Sequence, residues 1–144
     1  MKIKSINLKK DEPVGERLRH CRLYHNLLQV DILNKGNLSM DTITCTENGK
    51  NDPKVGTILS YVKALGIRSV KVHLSKKGTN LEGNLETIGL QLKTIREKNM
   101  ILKGKIPVLN SSTISNIENG KNVIYRNLVE YASFLNIGKL TINT

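Results

Sequence analysis

Apolar residues recur at helical spacing in two separate parts of the chain. Val14, Leu18 and Cys21 form an i, i+4, i+7 row through "VGERLRHCR", and Ile88, Leu92 and Ile95 repeat that row through "IGLQLKTIR". Such a row lays one apolar stripe along a helix. Further on, "TILSYVKALGI" lines up with "NLVEYASFLNI": Ile58, Leu59, Val62 and Leu65 answer Leu128, Val129, Ala132 and Leu135, and Tyr61 and Tyr131 fall at the same place. The period then changes. In "RSVKVHL" (68–74), Val70, Val72 and Leu74 alternate with polar residues, and Leu140 and Ile142 do so in "GKLTINT" (138–144). Alternation with β-branched residues predicts a short strand with one buried face.

Between these segments, "TITCTENGKN" (42–51) and "TISNIENGKN" (113–122) are nearly the same text. The chain therefore reads as two tandem copies, each of several helices followed by a strand. The first copy spans residues 1–75 and the second 85–144. Residues 76–84, "KKGTNLEGN", are polar and Gly-bearing, as a linker would be. The expected fold is mainly α, with two short strands. An isolated two-stranded ribbon is marginal, so "KIKSINL" at the N-terminus is either a third strand or a basic arm.

The repeated phrase has the form of a short capped helix. Asn110 is placed to accept backbone N–H bonds from a first turn, and Leu109, Ile114 and Ile117 would point inward. Ser111, Ser112, Thr113 and Asn116 are left outside. Asn119-Gly120 ends the helix, since Gly readily takes the left-handed conformation of a C-terminus. An exposed face so small and hydrogen-bonding fits a DNA major groove; it serves equally as a plain solvated surface.

Charge favours the first alternative. The formal net charge is +11 and the pI about 9.8, which points to a polyanionic partner. Aromatic residues are scarce, with no Trp and one Phe, Phe134. Cys21 and Cys45 make neither a CxxC pair nor a zinc-spaced cluster with histidine, so no metal or other cofactor is expected. No signal peptide or long apolar run appears, and the expectation is a soluble cytoplasmic protein with reduced thiols. An enzyme is not expected: His20, His25 and His73 have no acid partner at a suggestive spacing, and no Gly-rich phosphate loop follows a strand.

The stretch "GERLRHCR…LLQVDIL…LSMDTITCTENGKNDP", Gly15 to Pro53, resembles the Xre/Cro–CI family of helix-turn-helix repressors, and "GLQLKTIREKN" with "NSSTISNIENGK" resembles it a second time. The resemblance implies two tandem lambda-repressor-like helix-turn-helix domains. It implies structural ion pairs Arg22–Glu47 and Arg96–Glu118, which set the angle between helices. It also implies a phosphate contact from Gln29, and recognition positions at Met40, Asp41, Thr42 and Cys45, with Asn48, Lys50 and Lys54 on the DNA backbone. In the second copy, Ser111, Ser112, Thr113 and Asn116 take the recognition positions. Asn119 and Lys121 would meet the backbone, and Lys103 and Lys105 add positive charge.

The copies differ in ways that divide their expected labour. Met40, Asp41 and Cys45 make a poor reading face, and Thr46 stands at a core position. In "MILKGKIPVL" (100–109), Gly104 and Pro107 interrupt what would be the second helix. Residues 1–78 carry a net charge of +8 and residues 79–144 +3. Copy one is then expected to supply phosphate affinity and copy two base selection, through Asn116 on adenine. A strand directly after the helical unit resembles the HipB group of antitoxin repressors. That implies residues 69–75 pairing antiparallel to 139–143 in a small inter-repeat sheet and a single-chain pseudo-dimer on double-stranded DNA, and as an alternative an antitoxin with a toxin-like protein partner. A scaffold with decayed DNA binding is the third reading.

Overall fold

The computed structural model describes residues 5–144. Copy one contains β1 (Ser5–Lys9), α1 (Val14–Tyr24), α2 (Gln29–Gly36), α3 (Met40–Glu47), α4 (Val55–Ala64) and β2 (Ser69–His73). Copy two contains β3 (Thr79–Gly83), α5 (Leu85–Lys98), a 3-10 turn at Lys103–Lys105, α6 (Ser111–Glu118), α7 (Tyr125–Phe134) and β4 (Ile137–Asn143).

This architecture corrects the expected mainly α fold with a small antiparallel sheet. The described chain is 52% helical, with seven α-helices and a four-stranded mixed sheet, and is a mixed α/β fold. The strand order is β1-β2-β4-β3. β2 and β4 pair antiparallel at the centre, while β1 runs parallel to β2 and β3 parallel to β4. Each copy thus begins and ends in neighbouring parallel strands, with its helices as the crossover between them. The physical reason for the miss lies in β1 and β3, which are held by strands far along the chain. β3 lies inside the stretch read as a linker and has one buried apolar side chain, Leu81, so no alternation announces it. Of "KIKSINL", Ser5 onward is strand, with Ile6 and Leu8 buried; residues 1–4 lie outside the described chain.

The sheet register has internal two-fold symmetry. Lys71 pairs with Thr141, flanked by Val70–Ile142 and Val72–Leu140. Extending the match of "TILSYVKALGI" to "NLVEYASFLNI" makes Lys71 and Thr141 counterparts, so each pairs with its own equivalent. The same happens at a second place. Lys54 bridges its counterpart Ile124 in antiparallel fashion, with Val55 N–H donating to the Val123 carbonyl at 2.8 Å and Tyr125 N–H to Pro53 at 2.9 Å. Two self-pairing contacts define a pseudo-dyad. α4 and α7, ten residues each and so about 15 Å long, connect one contact to the other.

The core gathers the apolar stripes between helices and sheet: Leu18, Ile43, Ile58 and Val62 with their counterparts Leu92, Ile114, Leu128 and Ala132, over Ile6, Leu8, Val70, Val72, Leu140 and Ile142. Thr46, at the core position held by Ile117 in copy two, is buried as well.

Candidate nucleic-acid interface

Helices α3 and α6 occupy equivalent places about the pseudo-dyad, and each is built by local chemistry. Ser39 Oγ accepts from Thr42 N–H at 3.1 Å, and Asn110 Oδ1 from Thr113 N–H at 2.7 Å, satisfying first-turn donors. Gly49 and Gly120 follow the helices at positive φ (69° and 73°), turning the chain toward the dyad-crossing bridge. α1 and α5 then press on the helix ends through Gly15 and Gly89. A Cβ at Gly15 would sit 1.8 Å from the Thr46 carbonyl oxygen, and one at Gly89 2.2 Å from that of Ile117. Only glycine permits this approach.

The angle is fixed by two equivalent buried ion pairs. Arg22 Nε and Nη2 donate to the two oxygens of Glu47 at 2.8 and 2.9 Å, while Nη1 donates to the Leu27 carbonyl at 2.9 Å. Arg96 repeats this on Glu118 at 2.6 and 3.1 Å, and on Ile101 at 2.9 Å. The hydroxyls of Tyr61 and Tyr131 complete the carboxylates' coordination. These tyrosines are the functional partners that sequence reasoning missed; their matching positions in the two copies were the available signal. Burial by itself pushes both carboxyls up, but the arginine and tyrosine hydrogen bonds overcome it and hold them below the usual range.

Gln29 is less free than expected. Its Nε2 donates to Glu47 Oε1 at 3.1 Å, so this half-buried side chain also joins the ion-pair cluster. In copy two the second helix is reduced to the 3-10 turn at 103–105. Lys103 takes the Gln29 position and donates to Ser115 Oγ at 2.8 Å; its charge also helps keep Glu118 ionised. Ile106 still fills the core slot of Ile32.

The remaining candidates lie on the surface. Met40, Asp41, Asn48, Lys50 and Lys54 are exposed in copy one, with Thr42 and Cys45 half-buried. Lys105, Ser111, Ser112, Asn119 and Lys121 are exposed in copy two, with Thr113 and Asn116 half-buried. α3 and α6 thus each keep one buried row, Ile43 with Thr46 or Ile114 with Ile117, and an open opposite face. A two-fold axis preserves direction along itself, so the two faces have matching attitudes to that axis, and the loops after both helices meet on it.

Among the described residues no helix is long and apolar enough to cross a membrane. No family model matches the chain, and no curated protein matches it.

Proposed function

We propose that the protein is a sequence-specific DNA-binding regulator of repressor type, working in the cytoplasm as a single-chain pseudo-dimer related to the Xre/Cro–CI repressors. The observation that carries this reading is the pseudo-dyad through Lys54–Ile124, which joins the loops that follow two capped, open-faced helices. Proteins reading DNA with paired helices match a two-fold axis of their own to that of the duplex. Here the match is approximate, because the two faces differ in chemistry. Ser111, Ser112, Thr113 and Asn116 offer small donors and acceptors to base edges and phosphates. Met40, Asp41 and Cys45 offer little, and copy one contributes through Asn48, Lys50 and Lys54 on the backbone. The net charge of +11 supplies the salt-dependent attraction.

The test is selection of duplexes from a random pool at two salt concentrations. An enriched site with one strongly specified half and one weakly specified half is the expected result. Absence of enrichment at low salt would overturn the reading.

A further inference from the structure

The sheet has one closed face and one open face. Val70, Val72, Leu140 and Ile142 of the central strands turn toward the helices and are buried, as are Leu8 and Leu81 on the outer strands. The alternate residues point the other way. On that side Asn7, Lys9, His73 and Glu82 are exposed, and Lys71 and Lys139 are half-buried. Thr141, between Lys71 and Glu82 in the register, is buried at the centre. Among the described residues no strand has an exposed large apolar side chain.

The register gathers positive charge at one end of the open face. Lys9 pairs with His73, and His73 with Lys139, so three basic side chains from three strands stand in one row, about 5 Å apart from strand to strand. The row continues into Asn80 and contains no carboxylate. Lys71 lies two residues along β2, about 7 Å away. Like charges on neighbouring strands do not stabilise a sheet, and none of the three lysines belongs to an ion pair among the described residues. His73 Nε2 donates to Asn7 Oδ1 at 2.9 Å. A hollow of about 780 Å³ follows the row and adds Arg17 and Lys76 to it. Its one carboxylate, Glu12, already accepts the Lys9 backbone N–H at 3.3 Å. The dyad-related pair at the other end of the face, Ser69 with Asn143, is uncharged.

Position and chemistry narrow the occupant. An axis relating two antiparallel neighbours stands perpendicular to their sheet. The open face therefore closes one end of the pseudo-dyad, while the Lys54–Ile124 bridge lies toward the other, separated by α4 and α7. A protein partner would want apolar surface at the centre of the contact, and none is exposed here. Single-stranded nucleic acid would want aromatic platforms, and no strand contains Phe, Tyr or Trp. The phosphates of a duplex need only cations and small polar donors, and this face has both.

We propose that the open sheet face is a second duplex-binding surface, on which Lys9, Lys71, His73 and Lys139 hold the phosphate backbone of a DNA segment other than the one at α3 and α6. The contact is indifferent to sequence. That the protein bridges two segments rests on the DNA-binding reading of α3 and α6; the attachment of a duplex to the sheet does not.

Fluorescence anisotropy titration of the full chain with a labelled duplex of random sequence, at low salt, tests the face. In a background where Lys50→Ala and Lys121→Ala weaken the α3 and α6 side, duplex binding should persist. Lys9→Gln, Lys71→Gln and Lys139→Gln together should then weaken it about tenfold or more and lower the slope of log affinity against log salt by about three. Lys9→Arg, Lys71→Arg and Lys139→Arg should retain it. Glu82→Gln, which removes the acid on the face, should strengthen it, a gain that no folding defect imitates. Absence of duplex binding in the weakened background, or binding indifferent to the glutamine changes, would overturn the proposal. Polyglutamate bound as tightly as duplex would overturn it in favour of an acidic protein. Binding by the parent that the Lys50 and Lys121 changes leave untouched and the sheet changes abolish would uphold this face and count against the reading of α3 and α6 alone.

Discussion

Replacing Arg22 by Met is the sharpest probe of the ion-pair clusters. Arg22 is 7% exposed and gives three hydrogen bonds, two to Glu47 and one to the Leu27 carbonyl. The variant strands a carboxylate that is itself 5% exposed, leaving it Tyr61 and Gln29 as donors. Breaking a buried pair from one side costs about 3–5 kcal/mol, whereas replacing both partners with apolar groups is often neutral or better. For a chain of this size, that loss lowers the melting temperature by roughly 10–15 °C. Arg22→Met with Glu47→Leu should recover most of it. The pH dependence separates causes. In the parent, Glu47 titrates below its unfolded value, so its stabilisation is present above the unfolded carboxyl range and is lost as pH falls through the folded pKa. In Arg22→Met the uncompensated carboxylate is pushed up instead, and protonation relieves it. The two melting curves should therefore approach each other on acidification from pH 7 toward pH 4. Circular dichroism melts of the three chains measure this. A double variant as unstable as Arg22→Met at pH 7, or a deficit constant with pH, would refute the reasoning.

Other outcomes follow from named contacts. Gly89→Ala should destabilise by about 2–3 kcal/mol through overpacking against the Ile117 carbonyl, read by urea denaturation, while Gly104→Ala, where a Cβ meets nothing within 4 Å, should be near neutral. Asn116→Ala should relax the selected DNA sequence with a modest loss of affinity, measured by competition between matched and mismatched duplexes. Lys50→Ala should instead weaken all duplexes alike and reduce the slope of log affinity against log salt by about one. Equal, sequence-blind losses from both would sink the proposed division between copies.

What the sequence disclosed was whatever repeats or alternates within a short window. The doubled phrase, the caps at Asn110 and the helix ends at Asn-Gly are local, and Val70, Val72, Leu140 and Ile142 mark their strands by alternation. The parallel partners escaped because β1 and β3 are defined by strands about sixty residues away. β3 offers one apolar residue, Leu81, between Gly78 and Gly83, both at positive φ. At the candidate interface, the Gln29–Glu47 hydrogen bond was not legible because its two residues sit on different helices. The tyrosine hydroxyls were hidden for the same reason. The loss of one helical turn ahead of α1 emerges only when Pro13 is compared with its counterpart Thr87.

The bridge between Lys54 and Ile124, with the central strand pair, does inside one polypeptide what separate subunits achieve by encounter. An ordinary two-chain regulator falls apart on dilution, and its occupancy then climbs with the square of its abundance. Tethering replaces that bimolecular step with a local concentration set by the connecting segment. On the proposed DNA-binding reading, a cell holding only a few molecules would keep every one of them assembled, and its response to abundance would be linear instead of thresholded.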